Sequence, residues 1–104
     1  MAAPSSDQIH AALAQLRATA NFWEQAADFL DTACKLTEEV KFTRLEAGIF
    51  APAFDKYEPA PGYVGDRARE GVNACREIAD TLRHVANVYE EEDRRGEHAL
   101  RQLY

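Results

Sequence analysis

The residues best equipped for chemistry in this 104-residue chain are three histidines (His10, His84 and His98), two cysteines (Cys34 and Cys75) and a run of acids near residue 90. Asp80 and His84 are four apart, which on a helix places both on one face, a spacing that can hold a metal between helices. No Glu-x-x-His pair and no second such constellation accompanies them. They are expected to be exposed polar residues on a solvated face, and no metal site is assigned. Serine occurs only at positions 5 and 6, where it caps a helix, which leaves no Ser/His/Asp nucleophile. A glycine-rich phosphate loop needs a strand ahead of it, and no strand pattern occurs. The expectation is a chain without catalytic residues, cofactor or enzymatic activity.

Cys34 and Cys75 both fall on apolar helical seams. In an antiparallel helix pair they face each other only if the fold-back is centred between Phe54 and Asp55. That register would allow an internal disulfide, worth about 2–4 kcal/mol if unstrained. A fold-back nearer Gly48 puts them out of register and leaves two small core residues, as buried free cysteines commonly are.

The elements that must position these groups are two long helices. Ser5 and Gln8 form the S-x-x-Q pattern of a capping box, following Pro4. Apolar residues then recur in alternating steps of four and three: Ile9, Leu13, Leu16, Ala20, Trp23, Ala27, Leu30 and Cys34. This is a heptad-like seam. Trp23, the only tryptophan, sits on it and reads as core or interface packing. A second stripe runs alongside through Phe22, Ala26, Phe29, Ala33, Leu36 and Val40, so the apolar face is wider than one partner helix needs. No glycine or proline interrupts positions 5–47. The first helix is expected over about 5–44.

A connector of about 45–62 follows, with Gly48, Pro52, Pro59, Pro61 and Gly62 as punctuation. Its aromatic residues, Phe50, Phe54 and Tyr57, suit a segment that folds back on the end of a hairpin. The second helix is expected over about 63–103. Its seam reads Val64, Ala68, Gly71, Cys75, Ile78, Leu82, Val85 and Tyr89, then fails at Glu92 and Gly96 and weakly recovers at Ala99 and Leu103. Glycine costs about 1 kcal/mol inside a helix relative to alanine, so the turns from about residue 95 should be looser. Glu90–Arg94, Glu91–Arg95 and Glu97–Arg101 are spaced as acid-first ion pairs. The expected fold is all-α: one antiparallel two-helix hairpin with a Pro/Gly-containing connector. Its spare stripe predicts pairing, with itself or a related hairpin, into a four-helix bundle; the alternative is that the connector covers the stripe. Phe22, Trp23, Phe29, Leu30, Leu36, Val40, Leu82 and Val85 are the expected core and interface residues.

Bulk properties narrow the partners. The formal net charge is -6 and 46% of residues are hydrophobic, so the chain can bury a core but repels phosphate backbones, and no nucleic-acid partner is expected. No stretch approaches the roughly 20 apolar residues of a membrane span. The segment "MAAPSSDQIH" has neither the basic nor the apolar region of a secretory signal, so any export is expected by another route.

The stretch "TLRHVANVYEEEDRRGEHALRQL" carries Leu82, Arg83, Ala86, Tyr89 and Asp93 in an L-R-x-x-A-x-x-Y-x-x-x-D pattern. This resembles the C-terminal region of small actinobacterial type VII secretion substrates, the EspC-like branch related to the WxG proteins. The length and the helical hairpin match that branch, whereas the Trp-x-Gly turn of the founding family is absent: Trp23 is followed by Glu24 and Gln25. The resemblance implies a non-enzymatic substrate, or secretion-targeting partner, of a type VII (ESX) apparatus. Tyr89 and Asp93 would be its secretion signal, recognised by a secretion ATPase or channel component. The protein would be cytoplasmic before export and then extracellular or at the cell surface. The alternative is a cytoplasmic helical adaptor or chaperone that binds a partner helix pair and is not exported.

Overall fold

The computed structural model describes residues 5–103. Helix α1 spans Ser6–Glu39, α2 Arg44–Ala47, a 3-10 turn Gly48–Phe50, α3 Ala51–Tyr57 and α4 Pro59–Leu103. The described residues contain no strand, and no described helix is long and apolar enough to cross a membrane. The side chains of Ala99, Arg101 and Leu103, and Pro4 ahead of the first cap, lie outside the described residues.

Two boundaries depart from the expected ones. The first α1 donors are capped reciprocally: the Gln8 N–H donates to Ser5 Oγ (3.1 Å) and the Ser5 N–H to Gln8 Oε1 (2.8 Å). But α1 stops at Glu39, not near residue 44, because Thr43 opens a new helix with its own capping box. The Glu46 N–H donates to Thr43 Oγ1 (3.1 Å) and the Thr43 N–H to Glu46 Oε1 (3.2 Å). At the other end α4 begins at Pro59, not near residue 63. Pro59 and Pro61 sit in its first turn, where the missing N–H groups would lack helical partners anyway. Beyond Glu92, α4 runs through Gly96 without a break.

The seam of α1 is buried at Leu13, Ala20, Ala27 and Cys34, four of the expected positions. On α4 the seam is shifted. Ala68, Cys75 and Leu82 hold their places, but the alternate positions buried are Gly65, Val72, Ala79 and Ala86, one residue beyond Val64, Gly71, Ile78 and Val85. The reason is size. Small residues dominate the buried set, and they let two helix backbones approach closely. The bulkier Val64, Ile78 and Val85 are left on the flank.

The chain divides into two compact units. In Gln25–Arg76, Ala27, Val72 and Cys75 form a buried cluster, with Ala26 and Leu30 packed on it. Leu30 also covers Gly71, where an added Cβ would lie 3.0 Å from Leu30 Cδ1. Connector aromatics pack mainly on one another: Phe42 lies 5.2 Å from Phe54 and 5.1 Å from Tyr57 between ring centroids. The Tyr57 hydroxyl donates to the Val40 carbonyl at 2.8 Å, tying α3 to the end of α1. Leu45 and Ile49 remain 91% and 89% exposed, so the connector leaves these two apolar residues to solvent.

The other unit, Met1–Glu24 with Glu77–Tyr104, is closed along one edge by ions. Arg83 donates to Glu24 (2.8 Å) and to Asn21 (3.0 Å), and Arg17 donates to Asn87 (3.1 Å) and Glu90. These side chains are one-third or more exposed, so solvent screens both ion pairs and they add little to stability. They fix which flank of each helix faces the other.

Candidate functional site

Tyr89 and Asp93 line a groove in the unit formed by the two chain ends, and α1 supplies its other wall. The groove holds about 550 Å3. Ile9, Leu13 and Leu16 stand on the α1 side, opposite Tyr89, Glu92 and Asp93 on α4. Gln8 and Ala12 complete the α1 rim. The groove opens because of Asp93. Continuing the buried positions Ala79 and Ala86 by seven residues puts a carboxylate on the seam, half-buried and facing the same space as Ile9 and Leu13. A carboxylate cannot seal an apolar seam without the cost of desolvating a charge. Hence the seam fails at Asp93, rather than at Glu92 and Gly96, which are exposed. Tyr89 is 58% exposed with its ring along the groove.

The acids around this groove divide into two pairs. Glu90 binds Arg17 and Arg94 (3.2 Å), and its carboxyl is held below the ordinary glutamate value. The Arg17 hydrogen bond is the main cause and the Arg17 charge the next, with smaller help from Arg94 and His10 against the opposing effect of burial. Glu91 binds Arg94 (3.6 Å) and Arg95 (3.2 Å). Glu92 and Asp93, the two acids that line the groove, have no ion-pair or hydrogen-bond partner among the described residues. The acid-first pairs Glu90–Arg94 and Glu91–Arg95 are therefore both present.

The remaining predicted residues separate by exposure. Leu30, Leu82 and Val85 are half-buried at the seam margins. Phe22 (69%), Phe29 (77%), Leu36 and Val40 are exposed, as is Trp23 at 38%. At 100° per residue, Phe22, Phe29 and Leu36 lie about a third of a turn around α1 from the seam, on the side away from the Arg17–Glu24 edge. In the unit Gln25–Arg76, neither α4 nor the connector covers Phe29, Leu36 or Val40.

Cys34 and Cys75 are both free and buried, and the clamp register is not the one formed. The Cys34 thiol donates to the Gly65 carbonyl at 3.5 Å and takes a contact from Arg69 at 3.5 Å, whereas Cys75 packs beside Ala27. Cys75 lies ten residues past Gly65, about 15 Å along the helix, far beyond the roughly 7 Å Cα separation a disulfide spans. Asp80 turns to Arg83 (3.8 Å), and among the described residues no group of three His, Cys, Asp or Glu side chains comes together to hold a metal.

The α1 wall of the groove was missed by sequence reasoning, although its signal was present. Ile9, Leu13 and Leu16 open the first seam, and an antiparallel return brings the start of one seam to the end of the other. No protein-family model, no curated protein and no solved structure matches this chain.

Proposed function

We propose that this is a non-enzymatic helical-hairpin protein handled by a type VII secretion apparatus, either as a substrate or as a partner that targets one. Its Tyr89–Asp93 turn is the recognition element for the secretion ATPase or a channel component. The carrying observation is the state of that turn: an exposed tyrosine ring one helical turn from an unpaired, half-buried carboxylate, beside an open groove. A helix shaped only to pack would place an apolar residue at Asp93. The exposed stripe of Phe22, Phe29, Leu36 and Val40 supports association with a second copy or a related hairpin, giving a four-helix bundle. On this reading the protein is cytoplasmic before export and extracellular or surface-bound after it.

The test is export from the native host of Tyr89→Ala and Asp93→Ala, read against intact helix content and association. Both variants should be retained in cells. Normal secretion of both removes the signal reading. The exposed stripe by itself also fits a second reading, a cytoplasmic adaptor or chaperone that shields a partner helix pair and stays inside. Recovery of the wild-type protein only from cell lysates favours that alternative.

A further inference from the structure

We infer that the recognition element is composite: the first turns of α1 and the Tyr89–Asp93 turn of α4 together form a docking groove for a partner segment that presents an apolar side chain next to an arginine or lysine. This rests on the proposed role of Tyr89 and Asp93 and adds a second strand to it. Ile9, Leu13 and Leu16 give the groove an apolar floor that the α4 turn alone lacks. The volume of about 550 Å3 falls within the range of about 300–1,000 Å3 that accommodates small ligands, and so holds an inserted side chain with its neighbours.

Charge selects the occupant. Glu90 and Glu91 are already matched to arginines on their own protein. Glu92 and Asp93 are not, among the described residues, and both border the apolar floor. Two unmatched carboxylates beside an apolar surface favour a cation that arrives with an apolar anchor and repel an acidic segment. The tyrosine hydroxyl and the Gln8 amide, at the same groove, add neutral hydrogen-bonding capacity without changing that sign.

Ala12 provides the test, because it lies on the exposed α1 rim of the groove, on the other helix from Tyr89 and Asp93. Ala12→Trp fills the groove, and Ala12→Lys supplies an internal ammonium to Glu92 and Asp93. Asn73→Lys, at an exposed position of α4 that does not line the groove, adds the same charge elsewhere. With Tyr89 and Asp93 intact, the two Ala12 variants should each lower export at least tenfold, while Asn73→Lys exports normally. All three should retain wild-type helix content and thermal midpoint; if Ala12→Trp does not, Ala12→Lys decides alone. Export of Ala12→Lys at the wild-type level, in a host where Tyr89→Ala is retained, overturns the composite groove and leaves a linear signal. Normal export of Tyr89→Ala removes the underlying reading instead, so the two failures are told apart.

Discussion

Replacing Gly65 with alanine should destabilise the protein, although the same exchange at Gly96 should stabilise it. Both glycines lie inside α4, and alanine gains up to about 1 kcal/mol over glycine in a helix interior. At Gly96 nothing lies within 4 Å of an added Cβ, so that gain is kept. At Gly65 the new carbon would sit 2.7 Å from Thr37 Oγ1 and 3.7 Å from Thr37 Cβ. The threonine hydroxyl is held by its hydrogen bond to the Cys34 carbonyl at 2.6 Å. Turning it away forfeits about 0.5–1.5 kcal/mol, and crowding a close-packed contact costs about 1–3 kcal/mol more. After the helix gain is set against these, Gly65→Ala should lose about 2 kcal/mol. For a domain of this size that lowers the midpoint by about 8–16 °C, whereas Gly96→Ala should raise it by up to about 8 °C. Urea and thermal unfolding of both variants measure the contrast. Thr37→Ala in the Gly65→Ala background removes the clashing oxygen and leaves only the ordinary 3.7 Å contact, so it should recover most of the loss. If Gly65→Ala proves as stabilising as Gly96→Ala, the close approach of the two helices is wrong.

Three further outcomes are expected. Phe29→Glu with Leu36→Glu should convert an associated species to monomer in sedimentation without lowering the thermal midpoint of the monomer, since both side chains are exposed on the single chain. Glu90 is ionised more readily in the fold than in the unfolded chain, so its contribution is present above its ordinary value of 4.5 and is lost as the pH falls through the depressed one; Glu90→Gln should flatten the fall of stability below about pH 4.5, and an unchanged acid limb would contradict the Arg17 contact. Mild oxidation should leave Cys34 and Cys75 open and slow to alkylate until the chain unfolds, whereas an internal disulfide in the folded protein would require a different helix register.

The first seam was legible because its apolar positions recur without interruption and a heptad pattern constrains them jointly. Half of the second seam was not. Val64, Ile78 and Val85 are the bulkier apolar residues, and hydrophobic periodicity weights them over Gly65, Ala79 and Ala86. Close packing reverses that weight, since the position nearest a neighbouring backbone has room only for a small side chain. The connector was misplaced for a different reason. Thr43-x-x-Glu46 is a readable capping box, but continuous apolar spacing through Val40 masked it. Pro59 and Pro61 read as a break, and they are harmless in a first helical turn. Of the two cysteine registers left open by the sequence, the structure has the one in which Cys34 and Cys75 do not face each other. The resemblance singled out Tyr89 and Asp93, but nothing pointed to the α1 wall opposite them, because that pairing is a long-range property of the register.

The run of four acids after Val88-Tyr89 therefore has two physical roles within five residues. Glu90 and Glu91 face arginines of their own protein and lie toward the edge where Arg17 is drawn in. Glu92 and Asp93 follow one-quarter to one-half of a turn later and come round to the groove. A uniformly solvated helix end would show no such division, and a fully packed one would not place a carboxylate on the seam. The same sidedness marks the protein elsewhere. Arg17, Asn21 and Glu24 on α1 meet Arg83, Asn87 and Glu90 on α4 and saturate one flank with polar contacts. Phe22 occupies the other side of that stretch of α1 and is left to solvent. Within this unit one flank is saturated by polar contacts, and Phe22 and the unmatched carboxylates lie off it.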